Sequence, residues 1–359
     1  LSMDAGDLLP AEISQILSRL RADAQAMPRS QLEGVLHKAW GKNWEKLFAD
    51  FSWRPLAAAS IGQVHRATTL DGRQLALKVQ YPGVARSIDS DVNNVAALLR
   101  ISRLLPESLD MRPLLDEAKR QLRAEADYLK EAAHLAKFAE LLADDADFAV
   151  PVVHMDLSRR EVLAMSYLPG KPLESMDVAT QAVRDRIAEL LFRLLFREMF
   201  DFRLVQTDPN FANYHYQEAT GKIVLFDFGA TRRYPRRIID GYRKLFRGVL
   251  DGDRALILAG AGAIGYFPET IKARHREELL DLFVLATEPL GFRGSYDFAA
   301  SDLPLRLREA GTVLSFEKGY WHNPPADAVF LHRKLGGIYL LAARLRAKVD
   351  LRRIIEQRI

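Results

Sequence analysis

Hydrophobic periodicity divides the chain into a strand-rich first part and a mostly helical second part. Apolar residues recur at helical spacing in Ala11–Ala24. Ser30 and Glu33 form a capping box, which predicts the start of a second helix. From Leu56 to Tyr81 the pattern changes to that of two strands joined by a turn. The beginning of the chain therefore combines helices with a small sheet.

Helical spacing returns at Pro113, which predicts one long helix reaching about Leu142. Short strands are predicted at Phe148–His154 and Glu161–Met165, and helices dominate the remainder apart from one loop and strand around Asp208–Gly229. We therefore predict an α+β fold with two lobes, divided as residues 1–166 and 167–359. The first lobe contains a small antiparallel sheet with extra helices, and the second is larger and helical. A ligand is expected in a cleft between two such lobes.

Composition is that of an ordinary globular protein and excludes several kinds of site. Of the 359 residues 48% are hydrophobic and 27% charged, and the net charge is +4. The charges are interleaved without a basic tail, so a nucleic-acid partner is not expected. The chain has no cysteine, and its eight histidines form no close metal-binding pair. No apolar run approaches the roughly 18 residues that a membrane-spanning helix needs.

Three polar side chains occur at positions that packing of a hydrophobic core does not explain. Asp208 and Asn213 stand five residues apart in the segment QTDPNFANY, and Asp227 follows four apolar residues in IVLFDFG. Their oxygens suit a hard divalent cation. Asp-Pro and Asn also form turns, and a buried strand can end in a glycine turn. Each segment taken alone is better explained by such ordinary turns.

A buried ion pair is a further candidate. Glu125 falls on the apolar stripe of the predicted long helix, between Leu122 and Leu129. A buried carboxylate is costly without a cation. Lys78 can supply one, because it is central in the strand LALKVQY and its neighbours point to the opposite face of the sheet. The alternative is that Glu125 lies at the edge of the stripe and Lys78 reaches water.

A run of small residues lies between two strand signals near the start of the region Leu56–Tyr81. Such a loop lets backbone N–H groups approach a phosphate closely, as glycine-rich loops do. A tight hairpin without a ligand explains the same pattern. The candidate phosphate-binding residues are Ala57, Ala58, Ala59, Ser60, Ile61, Gly62 and Gln63.

The order of these segments favours a common explanation. A phosphate loop, a strand lysine, a helix glutamate, a D-x-x-x-x-N loop and a strand ending in DFG follow one another as they do in protein kinases. In that arrangement Lys78 contacts the phosphates, Asp208 faces the acceptor, and Asn213 and Asp227 bind Mg²⁺. Several independent coincidences of turn chemistry are improbable, so we interpret QTDPNFAN as a kinase-type catalytic loop.

The same segments resemble one branch of that superfamily, the UbiB/ABC1/ADCK atypical kinase-like proteins. The resemblance covers nearly the whole chain and is closest to the mitochondrial coenzyme Q branch, in which Gln206 and Asn210 replace histidines of the loop. It rests on AAASIGQVH (Ala57–His65), LALKVQYPGV (Leu75–Val84), EADYLKEA (Glu125–Ala132), QTDPNFANY, LFDFGA and FLHRKLGG (Phe330–Gly337).

The resemblance assigns roles residue by residue. It pairs Lys78 with Glu125, makes Asp208 the catalytic-loop aspartate, and gives Asn213 and Asp227 to the metal. Asp127 and Glu131 match the remaining acidic positions of the family signature. The family's K-x-G-Q motif is expected before the first helix and is not in this sequence, so we expect the natural chain to begin earlier. The connector expected to hold adenine consists of Met165, Ser166, Tyr167 and Leu168.

The resemblance implies an atypical kinase that binds ATP or ADP with Mg²⁺ and acts as an ATPase supporting ubiquinone or related isoprenoid lipid biosynthesis. An isoprenoid lipid and lipid-biosynthesis proteins at a membrane surface are the further partners it implies. The expected location is the bacterial cytoplasm or the mitochondrial matrix side. Two alternatives stay open. One is a small-molecule phosphotransferase, and the other is a nucleotide-gated binding module without useful turnover.

Overall fold

The structure, a computed structural model, describes residues 27–59, 61–101, 112–208, 210–267, 271–312 and 325–359. The chain forms two compact units. The first consists of the residues up to Gly170 together with His215–Ala230, and the second of Lys171–Tyr214 and Thr231–Ile359. The predicted helix at Ala11–Ala24 lies outside the described residues.

The main sheet of the first unit is antiparallel. Its strands are β1 (Phe48–Phe51), β2 (Ala57–Ala59), β3 (Gly62–Thr69), β4 (Gln74–Gln80) and β6 (Val162–Ser166). They follow the order β1-β3-β4-β6, and β2 also pairs with β3, at residues 62–64, whereas β1 pairs with residues 67–69 of β3.

Alternation along β4 separates a core face from a polar one. Leu75, Leu77 and Val79 are buried in a hydrophobic cluster with Trp44 and Leu36. Side chains at odd and even positions of a strand point to opposite faces, so Lys78 is directed away from this cluster. The predicted orientation of Lys78 relative to its neighbours is confirmed.

Four helices accompany this sheet, and their bounds correct two predictions. The predicted long helix is two helices, because Asp127 interrupts it and accepts a hydrogen bond from the backbone N–H of Leu129 as the N-cap of the second. The first helix begins after Pro28, which has no side-chain cap, so the capping box of Ser30 and Glu33 was wrong. The helices are α1 (Arg29–Trp40), α2 (Val84–Ile101), α3 (Arg112–Glu125) and α4 (Tyr128–Leu141).

A second sheet of the first unit contains the strand that precedes Asp227. In this sheet β10 (Lys222–Leu225) pairs in parallel with β5 (Phe148–Ala149), Ile223 opposite Phe148, and β9 (Tyr214–Gln217) lies on the other side of β10. This pairing includes His215–Ala230 in the first unit, which differs from the predicted division at residue 166.

The second unit is mainly helical. Its helices are α5 (Gln181–Arg197), α6 (Arg236–Asp251), α7 (Arg254–Ile264), α8 (Ala273–Ala286), α9 (Glu288–Gly291), α10 (Leu303–Thr312), α11 (Ala326–Arg344) and α12 (Leu351–Glu356). Its short strands are β7 (Lys171–Pro172), β8 (Leu204–Gln206), β11 (Thr231–Arg233), β12 (Tyr296–Asp297) and β13 (Lys348–Val349). A π-helical turn, Glu198–Phe202, continues α5.

The predicted α+β fold class is confirmed by a small antiparallel sheet in one unit and a larger set of helices in the other. Within the residues that the structure describes, none of the helices is both long and apolar enough to cross a membrane.

Gly62, at the start of β3, has no room for a side chain. A Cβ atom there would lie 2.2 Å from the backbone oxygen of Val79 in β4. The Gly62→Ala variant must separate the two strands locally, and we expect a loss of about 1–3 kcal/mol or more in the free energy of unfolding. Gly34→Ala is the control, because Gly34 lies in α1 with open space around it and alanine favours helix. Equal stability of the two variants in chemical denaturation would contradict this packing.

Candidate active site

Lys78 is a buried cation held by two carboxylates. Its side chain is 6% exposed. Nζ donates to Oε1 and Oε2 of Glu131 at 2.9 and 3.0 Å, and to Oδ2 of Asp227 at 2.8 Å. A buried charge is tolerated when partners of opposite charge and hydrogen bonds replace water. Strand β4, helix α4 and the segment after β10 thus meet at one ammonium group.

The helix carboxylate at Lys78 is Glu131, so the predicted pairing with Glu125 was wrong. Glu125 is the last residue of α3. The chain starts a new helix at Tyr128, and the phase of the apolar stripe starts again with it. On α4 the buried positions are Tyr128, Glu131, Ala132, Leu135 and Phe138, and Leu129 is exposed.

Helix α4 also fixes the DFG segment. The Phe228 ring packs on Phe138 with 4.4 Å between centroids, and Nδ1 of His134 lies 3.2 Å from the Phe228 carbonyl oxygen. The N–H of Gly229 donates to Oδ1 of Asp227 at 2.9 Å. One face of α4 therefore holds the lysine's partner and the backbone beside Asp227 at the same time.

The pKa values of Lys78, Asp227 and Glu131 are shifted in different directions. Burial alone lowers the pKa of Lys78, but Asp227 and Glu131 together raise it well above its usual value. Burial also opposes the charge on Asp227, yet Lys78 and the Gly229 N–H outweigh it and lower the pKa of Asp227. Burial, with the nearby charge of Asp227, raises the pKa of Glu131 to about 7. Lys78 stays cationic, and Asp227 is the carboxylate that stays ionised.

The alanine-rich segment forms a tight hairpin, in which Ala59 of β2 pairs with Gly62 of β3. Ser60 lies outside the described residues, and Ile61 completes the turn. Ala57 pairs with Val64, which pairs with Lys78, so these three share one face of the sheet. The tight hairpin is therefore confirmed, and its part in binding phosphate stays a prediction.

Gln63 does not point to that face. Its side chain is 2% exposed, Oε1 accepts the N–H of Met27 at 2.8 Å, and Nε2 lies 2.7 Å from Nε2 of His65. Strand alternation turns Gln63 away from Lys78, since it pairs with Val79. The Gln63 side chain therefore secures the chain before α1, and the part of the Gln63 backbone in a phosphate loop stays a prediction.

The predicted adenine connector follows β6. Met165 is buried, and Ser166, Tyr167 and Leu168 are half-buried. The N–H of Ser166 donates to the Val152 carbonyl at 2.9 Å, and that of Tyr167 donates to the Gln74 carbonyl at 2.8 Å. Both donors are used within the first unit, so contact with a base would fall to other backbone groups of the connector. Its role in binding adenine stays a prediction.

In the second unit, Asp208 and Asn213 contact each other within the loop QTDPNFANY. Nδ2 of Asn213 donates to Oδ2 of Asp208 at 2.8 Å. The other carboxylate oxygen accepts the N–H of Asn210 at 3.3 Å, and Asn210 in turn caps a short 3₁₀ turn, Phe211–Asn213. Turn chemistry builds this loop, and it occupies Oδ1 of Asp208 with the Asn210 N–H and Oδ2 with the Asn213 amide.

Two buried charges of the second unit were missed by the sequence interpretation. Lys334 of α11 is 2% exposed and Glu198 is 1% exposed. The pattern held a signal for the first, because Lys334 lies on the stripe of Leu331, Ile338 and Leu341, all of which are buried. A lysine inside an apolar stripe indicates a buried charge, just as Glu125 on its stripe was taken to do.

Comparison with known proteins identifies relatives along nearly the whole chain. The profile of the ABC1 atypical kinase-like domain matches residues 19–260. A rat protein named "Atypical kinase COQ8B, mitochondrial" is 37% identical over 356 residues, which cover 99% of this chain and 67% of that protein. "Atypical kinase COQ8, mitochondrial" of Saccharomyces cerevisiae is 37% identical over 361 residues, covering 99% of this chain and 71% of the yeast protein.

Other relatives are longer still. "Atypical kinase coq-8, mitochondrial" of Caenorhabditis elegans is 36% identical, and the match covers 98% of this chain but 47% of that protein. A solved structure of a Mycobacterium tuberculosis protein in complex with erythromycin aligns with a TM-score of 0.71 at 24% identity, over 98% of this chain and 88% of that one. The likeness to the solved structure supports the fold.

A double-mutant cycle tests the partner of Lys78. Lys78→Met leaves two carboxylates without their cation, and Glu131→Gln leaves Lys78 with Asp227 alone. We expect losses of up to about 3–5 kcal/mol in the free energy of unfolding, the larger one for Lys78→Met. The double variant should lose clearly less than the sum, because residues in contact couple by about 0.5–3 kcal/mol. Denaturant unfolding measures all four proteins.

Glu125→Gln is the matched control for this cycle. Combined with Lys78→Met it should give an additive loss, because Glu125 is not the helix carboxylate at Lys78. Additive losses for Lys78 with Glu131, or equal coupling for both glutamates, would contradict the structure.

Proposed function

The chain belongs to the ABC1 atypical kinase-like family, and we propose that it binds ATP or ADP together with Mg²⁺ and hydrolyses ATP. The observation that carries this proposal is the Lys78 ammonium, buried in the centre of a strand and shared by Glu131 and Asp227. A lysine that only supports the fold needs one carboxylate partner, not two. A lysine that must remain cationic and fixed beside phosphate oxygens needs both.

The oxygen donors fit Mg²⁺. Asp227 remains 22% exposed at its side chain, stays ionised, and keeps acceptor capacity on both oxygens. Asn213 uses its amide N–H on Asp208, which leaves its oxygen to a metal. Among the described residues no three acidic, histidine or cysteine side chains cluster around a common point. Mg²⁺ commonly takes one or two protein oxygens and completes its shell with phosphates and water.

Asp208 is the group proposed to act on the attacking water. It is half-buried, and its carboxylate is oriented by Asn213 and by the backbone N–H of Asn210. A fixed carboxylate can accept a proton from water or hold the water in line with the terminal phosphate. Bound Mg²⁺ would neutralise the charge that develops on the phosphate oxygens. Lys78 would add a second positive charge, and the hairpin Ala57–Gly62 would supply backbone N–H groups.

The biological setting proposed is the biosynthesis of ubiquinone or a related isoprenoid lipid. It rests on the resemblance of the sequence motifs to the coenzyme Q branch and on relatives that carry the COQ8 name and are called mitochondrial. An isoprenoid lipid, or proteins that make one, are the partners this setting implies. Since the chain spans 47% to 71% of the length of these relatives, activities of their other segments are not assigned to it.

The metal site is tested through Asp227. We expect Asp227→Asn to weaken Mg²⁺-dependent nucleotide binding at least tenfold, about 1.4 kcal/mol, because an amide offers the metal no negative charge. Calorimetric titration of ADP with and without Mg²⁺ measures this. Asp156→Asn removes a surface carboxylate paired with Arg73 in the same unit and should leave the affinity unchanged. Parental affinity in the Asp227 variant would remove this residue from the site.

Turnover is tested through Asp208. Asp208→Asn should keep the fold and the nucleotide affinity within a few-fold but lower phosphate release from ATP by about 10²-fold or more, the usual size of a general-base contribution. The measurement is free phosphate together with radiolabel from ATP. Label transferred to a metabolite would replace the ATPase by a phosphotransferase. Tight nucleotide binding with no turnover in the parent would indicate a binding module instead.

A further inference from the structure

Lys334 is a second buried lysine, and its partners are the two ends of the catalytic loop. From helix α11 its Nζ donates to Oε1 of Gln206 at 2.7 Å and to the hydroxyl of Tyr214. The Tyr214 hydroxyl also donates to Oε1 of Gln206, at 3.2 Å. Gln206 is the last residue of β8 and Tyr214 the first of β9. One ammonium group therefore joins the strand that enters the loop to the strand that leaves it.

Glu198 contacts the same point from the other side. Its carboxylate accepts the backbone N–H of Gln206, and burial raises the pKa of Glu198 to about 7, opposed by the charge of Lys334. Glu198 begins the π-helical turn that ends at Phe202, and Arg203 follows with φ at +53°. π-helical turns are rare and recur at functional sites, where they redirect one side chain. Here the turn accompanies a carboxylate buried against β8.

These contacts are poorly explained as packing alone. A buried ion pair can often be replaced by apolar residues of similar volume without loss of stability. Oε2 of Glu198 and Nε2 of Gln206 are buried with no hydrogen-bond partner among the described residues, which a core selected for stability avoids. The position of Lys334, on an apolar stripe of α11, is one that leucine or methionine could fill.

We propose that Lys334 is a positioning residue of the catalytic loop, clamping Gln206 to Tyr214 so that Asp208 and Asn213 keep the geometry that turnover requires. We call Glu198, Gln206, Tyr214 and Lys334 the loop clamp. The proposal rests on the proposed function, because it assigns the loop a part in ATP hydrolysis.

Charge supports the same role. Burial lowers the pKa of Lys334, while Glu198 and Asp208 oppose that shift. Asp208 therefore lies close enough to act on Lys334 through charge, although the direct hydrogen bonds of Nζ are to Gln206 and Tyr214. Both acceptors are neutral, so the charge of Lys334 is not neutralised by either of these hydrogen bonds. Glu198 offsets part of that charge.

The test uses a charge-balanced variant. Lys334→Met alone strands Glu198, so the variant is Lys334→Met with Glu198→Gln. We expect its unfolding midpoint and its Mg²⁺-ADP affinity to stay near the parental values, while kcat for phosphate release falls at least tenfold and KM changes little. Tyr214→Phe removes a single hydroxyl, so it tests the clamp even if the double variant folds poorly, and a smaller fall in kcat is expected.

Hydrogen exchange gives a readout that does not depend on turnover. Amides from Leu204 to Gln217 should exchange faster in both clamp variants without nucleotide, while α6 and α7 keep parental protection. The control is Lys348→Met with Asp297→Asn, which removes a partly exposed ion pair of the same unit and should change neither exchange in the loop nor kcat.

The outcomes separate the two proposals. A parent without ATP turnover contradicts the proposed function, and loop exchange then decides the clamp by itself. A parent with turnover, and clamp variants with parental kcat and parental loop exchange, would overturn the positioning role. Destabilisation spread over the whole second unit, with Tyr214→Phe equal to the parent, would make Lys334 a core residue only and would also overturn it.

Discussion

The charge on Lys78 is the constraint on which the first unit depends. Strand alternation sends this side chain away from the hydrophobic cluster of Leu75, Leu77 and Val79, into a space that excludes most water. An unpaired ammonium there would cost several kcal/mol. Helix α4 must therefore present Glu131, and the segment after β10 must present Asp227. Residues distant in sequence are fixed together because one charge must be neutralised.

Whether a contact of Lys78 could be predicted from the sequence depends on whether it is set by the period of a strand or by the phase of a helix. The orientation of Lys78 depends on the two-residue period of a strand. That period is unbroken in LALKVQY, so the orientation was predicted. The partner of Lys78 depends on the phase of a helix. A single cap at Asp127 resets that phase, so Glu125 was predicted where Glu131 lies. The direction of the Gln63 side chain was not predicted for a related reason, because the residues around the hairpin turn were treated as a set without assigning each side chain to a face.

The catalytic loop was predicted from motif order, but the contacts of Lys334 that hold the ends of the loop were not. Lys334 lies far along the chain from Gln206 and Tyr214, and no local rule links them. The two lysines also differ in chemistry. Lys78 makes direct ion pairs, which lock its charge in place, whereas Lys334 donates to a neutral amide and a phenol. The carboxylate partners of Lys78 stabilise its positive charge. The neutral partners of Lys334 are themselves held in position by the lysine.

The parallel pairing of β10 with β5 has a consequence for biosynthesis. Ile223 lies beside Phe148, and the chain between them contributes Lys171–Tyr214 to the other unit before it returns. A ribosome delivers the chain from its N-terminus at about 5–20 residues per second. For several seconds on that scale, Lys78 and Glu131 have emerged while Asp227 is still unmade. The first unit must therefore wait, with its lysine incompletely neutralised, until Lys171–Tyr214 of the second unit has been translated, so the first unit cannot mature as an independent N-terminal module.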